Sequence, residues 1–61
     1  MYAYRILLDD GPIVDDEAES RYIYLTEEEA INEADKIINT RLSQQFGRHY
    51  LDFDVIIYST D

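Results

Sequence analysis

Residues 26–47 read TEEEAINEADKIINTRLSQQFG, the one stretch that can make a long helix, and its reading decides the fold. The start is written in side-chain chemistry. Thr26 can accept from the first free amides and Glu29, three residues on, can reach back, which makes a capping box. At the other end, Phe46 is the last periodic apolar residue and Gly47 can take the left-handed conformation that closes a helix. Between them Ala30, Ile31, Ala34, Ile37, Ile38 and Leu42 share one side of a helical wheel, with Phe46 at its margin. Leu25, just before the cap, is placed to staple against Ala30. About 20 helical residues, roughly 30 Å, must lie over whatever the rest of the chain forms.

Outward from the helix, the chain alternates. Tyr2 to Leu8 reads as a strand with Tyr2, Tyr4, Ile6 and Leu8 on one face and Ala3, Arg5 and Leu7 on the other. Burying the second face would bury the Arg5 charge without an evident partner, so Ile6 and Leu8 are expected inside. Asp9-Asp10-Gly11-Pro12 is turn chemistry. Asp9 to Ser20 then reads as a loop with six acids, pinned near its middle by Ile13 and Val14 and solvated beyond them. Arg21 to Leu25 is a short second strand, with Tyr22 and Tyr24 on one face and Ile23 and Leu25 on the other. After the helix, Arg48-His49 leads into a third strand, Tyr50 to Ser59. Leu51, Phe53, Val55 and Ile57 are expected to face in, and Asp52, Asp54, Ile56 and Tyr58 out.

The order β-β-α-β predicts a single α+β domain over residues 1–61. Its sheet has three antiparallel strands in the order 2-1-3, with the helix packed on one face. Arg5 is then expected beside Asp52 or Asp54 across the strands. The other sheet face is uncovered and carries Arg5, Leu7, Tyr22, Tyr24, Asp52, Asp54, Ile56 and Tyr58.

Charge is the outlying property. Fourteen acids face five bases, a net −9 in 61 residues. Asp9 to Asp35 holds eleven acids and the single base Arg21, a net of −10, and the remainder carries +1. Glu27, Glu28 and Glu29 are accounted for by the helix dipole, which favours acids in a first turn. The loop acids have no such cause. An acidic balance of this size disfavours direct contact with nucleic acid or an anionic membrane. With no cysteine, no apolar run near the ~20 residues of a membrane span and no signal-peptide pattern, a soluble cytoplasmic protein is expected.

Chemistry is not evident. The loop lacks the alternating ligands, central glycine and terminal glutamate of a calcium site. His49, the only histidine, follows the helix C-terminus and is expected to be structural. Asp52 and Asp54 resemble a carboxylate pair but have no pocket in so small a core. No catalytic residue, metal ligand or cofactor is therefore expected, and the chain reads as a non-enzyme. The candidate partner-binding residues are Asp9, Asp10, Asp15, Asp16, Glu17, Glu19, Glu28, Glu33, Asp35, Asp52 and Asp54, with Tyr22 and Tyr24, since tyrosine beside carboxylates suits a protein interface.

In length, acidity and lack of chemistry the chain resembles the small phage-encoded anti-defence proteins of the anti-CRISPR, DNA-mimicking kind. That resemblance implies an inhibitor or decoy whose carboxylates occupy a basic, nucleic-acid-binding surface, such as that of a CRISPR or restriction effector in a bacterial host. There is also a likeness to HicB-type antitoxins in the tyrosine-led first strand, the acidic Asp10-Gly11 turn, the second strand and the L-T-E-E-E-A opening of the helix. It runs to about Ile38, and the Pro-Gly segment such antitoxins carry is missing. A second expectation, from a different class, is a homo-oligomeric structural or regulatory module, such as a homodimer, that uses the uncovered tyrosine-rich face.

Overall fold

A computed structural model describes residues 1–9, 11–13 and 18–60. Strand β1 (Tyr2–Leu8) is central in a three-stranded antiparallel sheet of order β2-β1-β3, with β2 at Gly11–Pro12 and β3 at Phe53–Ser59. One long helix covers one face. It comprises α1 (Glu27–Ile37), a π-helical turn (Ile38–Leu42) and α2 (Ser43–Phe46). Class, strand order and single covering helix are those expected.

The helix ends where its chemistry says. The Thr26 hydroxyl oxygen accepts from the Glu29 N–H at 3.1 Å, and the same hydroxyl donates to Glu29 Oε1 at 3.4 Å. Gly47 closes the helix at φ 62° and ψ 34°, and the Arg48 N–H donates to Ser43 O at 3.0 Å, the long bond of a Schellman ending. A Cβ on Gly47 would meet nothing within 4 Å, so alanine there costs only backbone strain. Gly47→Ala is expected to destabilise by about 1–2 kcal/mol in urea unfolding, with Gly47→Asn costing less.

The π turn answers a packing problem. Ala30, Ala34, Ile38 and Leu42 are all fully buried and lie four residues apart. An α-helix turns about 100° per residue, so each such step drifts about 40° and three steps would carry Leu42 off the core. A wider turn removes the drift, and there the Ser43 N–H bonds Ile38 O, five residues back. Asn39 Nδ2 and Thr40 Oγ1 donate to Asp35 O (2.9 Å) and Lys36 O (2.7 Å), giving partners to carbonyls where the turn widens. Ile31, expected in the apolar stripe, is instead exposed.

The core beneath consists of Tyr4, Ile6, Ala18, Ala34, Ile38, Leu42 and Phe53, flanked by Leu8, Ile13, Tyr24, Ile37, Val55 and Ile57. Ile13 packs against it as expected, while Ala18, in the stretch expected to be solvated, is part of it. Val14 lies outside the described residues.

The edge beside β1 differs from expectation. Its second strand is Gly11–Pro12 rather than Arg21–Leu25, and Pro12 is tolerated because an edge strand can spare a donor. Beyond it the described residues bridge β1 at single positions, Arg5 with Glu19 and Tyr2 with Tyr24. Between them the Ser20 N–H donates to Tyr4 O at 3.1 Å, while the Ser20 hydroxyl, not its carbonyl, accepts from the Tyr4 N–H at 3.2 Å. Arg21, Tyr22 and Ile23 bulge away. Tyr24 therefore shares the inner face with Tyr2 and Tyr4, and its ring lies 6.2 Å from that of Tyr4 at 25°. Ile23 and Leu25 are outside, Leu25 at 72% exposure, too open to staple Ala30.

The third strand starts late. Tyr50–Asp52 is a 3-10 turn in which His49 Nδ1 accepts from the Leu51 N–H and Asp52 Oδ2 from the His49 N–H, each at 3.2 Å. The turn aims Leu51 outward, 76% exposed, where simple alternation puts it in the core.

Candidate functional site

The sheet edge and the helix enclose a cleft of about 210 Å3, lined by Tyr4, Glu19, Arg21, Tyr22, Tyr24, Glu33, Ile37 and Arg41. Each wall follows from a local cause. Glu33, Ile37 and Arg41 recur every fourth residue and so share a helix side. The bulge after Ser20 turns Arg21 and Tyr22 to the rim, and Tyr24 returns to stack on Tyr4. Burial, aided by the nearby Glu33 carboxylate and Tyr22, raises the Tyr24 hydroxyl above its ordinary value, so it stays a neutral donor.

Of the thirteen candidate residues, the cleft unites Glu19, Glu33, Tyr22 and Tyr24. Glu19 is also paired with Arg5, Nε to Oε1 at 3.5 Å, with both side chains half exposed. That pair corrects the expected one: β3 sets Ile56 opposite Arg5 and Asp54 opposite Leu7, while Asp52 is in the 3-10 turn. An ion pair this exposed contributes about 0–1 kcal/mol, so it tempers the local charge more than it stabilises.

The other candidates lie elsewhere. Asp54 is exposed on the uncovered sheet face, opposite to the helix and its acids. Asp52 caps the His49 amide, and so is not a strand-face partner for Asp54. Asp9 is exposed in the turn after β1, and Glu28 in the first helical turn. Asp35 accepts from the Tyr50 hydroxyl at 2.6 Å. Asp10, Asp15, Asp16 and Glu17 lie outside the described residues. Sequence reading missed Arg21, Arg41, Tyr4 and Ile37 as cleft residues. The four-residue spacing of Glu33, Ile37 and Arg41 was the available signal.

Comparison with protein-family models, curated proteins and solved structures finds no match to this chain. Among the described residues no group of three or more His, Cys, Asp or Glu is placed to hold a metal ion. No helix there is long and apolar enough to cross a membrane. What the cleft offers is aromatic surface, a tyrosine donor, two carboxylates and two guanidinium groups. Such a set can seat a side chain of another protein.

The Tyr50–Asp35 contact has a measurable consequence. The hydrogen bond to the Asp35 carboxylate, with burial and repulsion adding, raises the Tyr50 hydroxyl above its ordinary value of 10.0. The unfolded chain then loses this proton first as pH rises, so the contribution is complete below about pH 10 and falls through the folded-state value. Tyr50→Phe is expected to remove one late-titrating tyrosine from an ultraviolet pH titration and to flatten the alkaline fall in stability. An unchanged titration would count against the contact.

Proposed function

We propose that this chain is a non-enzymatic binding protein that docks on a basic, nucleic-acid-binding surface of a partner and blocks it, in the manner of the acidic anti-CRISPR decoys it resembles. The observation that carries this reading is the net −10 between Asp9 and Asp35. Support comes from the cleft, where Glu19 and Glu33 stand in the lining beside Tyr22 and Tyr24. Carboxylates two residues apart in an extended chain recur every ~6–7 Å. Together with the helix acids they offer a coarse counterpart to a DNA backbone, which carries a charge every ~1.7 Å of axis. In this reading Tyr22, 71% exposed at the cleft rim, supplies the apolar anchor that pure charge lacks. The partner is a protein or complex with a Lys/Arg groove, such as a CRISPR or restriction effector. Nucleic acid and membranes are not bound directly.

The test is competition. Nucleic-acid-binding proteins captured from a bacterial extract on the immobilised chain are assayed for duplex DNA binding with and without it. The expected result is competitive displacement of DNA that weakens at least about tenfold between roughly 50 and 500 mM salt, and weakens again in Glu19→Gln/Glu33→Gln. Captured proteins that bind DNA equally well with the chain present, or affinity indifferent to salt, would overturn the reading.

A further inference from the structure

Strand β3 has a free edge whose polarity can be read from the ladder on its other side. The Thr60 N–H donates to Met1 O and the Asp9 N–H to Asp52 O, each at 3.1 Å, at the two ends of an unbroken β1–β3 register. Hydrogen-bonded pairs alternate along an antiparallel ladder, so Asp54, Ile56 and Tyr58 spend their backbone groups on β1. Val55 and Ile57 therefore aim their N–H and C=O groups away from β1, to the side where the described residues place no strand. On the uncovered face Ile56 and Tyr58 are each 45% exposed. This is an apolar, seven-residue edge without lysine, proline or bulge, the devices that ordinarily blunt one.

We propose that β3 pairs antiparallel with β3 of a second copy, across a two-fold axis at Ile56, to make a continuous six-stranded sheet. Three observations select that occupant. The outward backbone groups of Val55 and Ile57 bond across the axis, Val55 to the second copy's Ile57 and the reverse. In the same register Ile56 meets Ile56, and Asp54 meets the Tyr58 hydroxyl of the second copy instead of another carboxylate, so the strand is complementary to itself. Shifting the pairing by one two-residue step toward the strand start sets Asp54 against isoleucine. Lastly, the order β2-β1-β3 puts Glu19 and the residues flanking the acid loop at the opposite edge, and Asp54 is the only charged residue of β3. The Glu19 carboxylate is thereby kept away from the interface. This inference is independent of the decoy reading and has the opposite salt dependence. Two copies at −9 repel, so dimerisation strengthens with salt, whereas docking on a basic partner weakens.

Sedimentation equilibrium over about 10 μM to 1 mM, at low and high salt, measures the dimer directly. Amide exchange on the unmodified protein reads the interface. Val55 and Ile57 are expected to gain at least about tenfold protection as dimer forms, while Ile56, bonded to β1, changes little. Ile56→Lys and Ile56→Asp each set like charges at the axis and are expected to weaken the dimer about 100-fold or more, with circular dichroism unchanged. Mixing the two variants is expected to restore a heterodimer, because the opposite charges then meet. A chain that stays monomeric at 1 mM in high salt, a dimer without new protection at Val55 and Ile57, or an equimolar mixture that remains monomeric would each overturn the proposal. Should either variant fail to fold, the exchange measurement on the unmodified chain decides alone.

Discussion

Leu42→Ala is expected to lower the unfolding free energy by about 2–5 kcal/mol, whereas Leu51→Ala changes it by less than about 0.5 kcal/mol. Both positions fall in apolar patterns of the sequence, and only the fold separates them. Leu42 is fully buried between the helix and the sheet, and its truncation leaves a cavity among Ile6, Ile38 and Phe53 that a close-packed interior fills only in part. Leu51 is carried outward by the 3-10 turn and loses little on truncation. A domain of this length has roughly 3–9 kcal/mol to spend, so the first variant approaches or crosses the unfolding threshold. Urea or thermal unfolding followed by circular dichroism measures both, at about 4–8 °C in midpoint per kcal/mol for so short a chain. Equal losses in the two variants would mean that β3 begins at Tyr50 after all.

What could be read in the sequence, and what could not, divides along the range of the interaction. The helix ends were legible because they are local: the Thr26 hydroxyl takes the Glu29 N–H three residues on, and Gly47 turns the chain so that the Arg48 N–H reaches Ser43 O five residues back. The face choice of β1 was legible because one charge, Arg5, excludes one of two faces. Tyr24 and Leu51 were not. A strand has period two, so the bulge at Arg21–Ile23 reverses the faces expected for Tyr24 and Leu25, while one turn of 3-10 helix at Tyr50 takes Leu51 out of an alternation that Phe53, Val55 and Ile57 keep, and neither leaves a strong local signature. Gly11–Pro12 was read as punctuation because both residues are rare in strands, yet two bridged residues at an edge need little of what strands need. Ala18 was hidden among acids, and its burial in the core cluster depends on long-range packing that no local pattern reports. The candidate site shows the same limit. Glu19, Glu33, Tyr22 and Tyr24 stood out by charge and residue type. That they share one cleft, while Asp54 stands on the opposite sheet face, follows from a bulge and a helix orientation set by long-range packing.

The π turn supports a test whose outcome depends on sign. A π turn holds one residue more than the α turn it replaces, so removing one there leaves the flanking helix directions nearly intact. Deleting Thr40 brings Leu42 to three residues after Ile38, still on the buried face of an ordinary α-helix. The expected loss is under about 1.5 kcal/mol, chiefly the Thr40 bond to Lys36 O. Inserting an alanine after Thr40 does the reverse. The turn already holds its extra residue, so a second rotates Leu42 and α2 by about 100° and takes Leu42 off the core, at a cost of about 2–5 kcal/mol. Residues Asn39 and Thr40 are exposed, so neither change adds a steric clash of its own. Urea midpoints of the two variants, compared with the unmodified chain, give the answer. If the insertion were as stable as the deletion, the four-residue spacing of Ala30, Ala34, Ile38 and Leu42 could not be the cause of the wide turn. The asymmetry matters because it ties a local backbone irregularity to the packing of a single buried line of side chains.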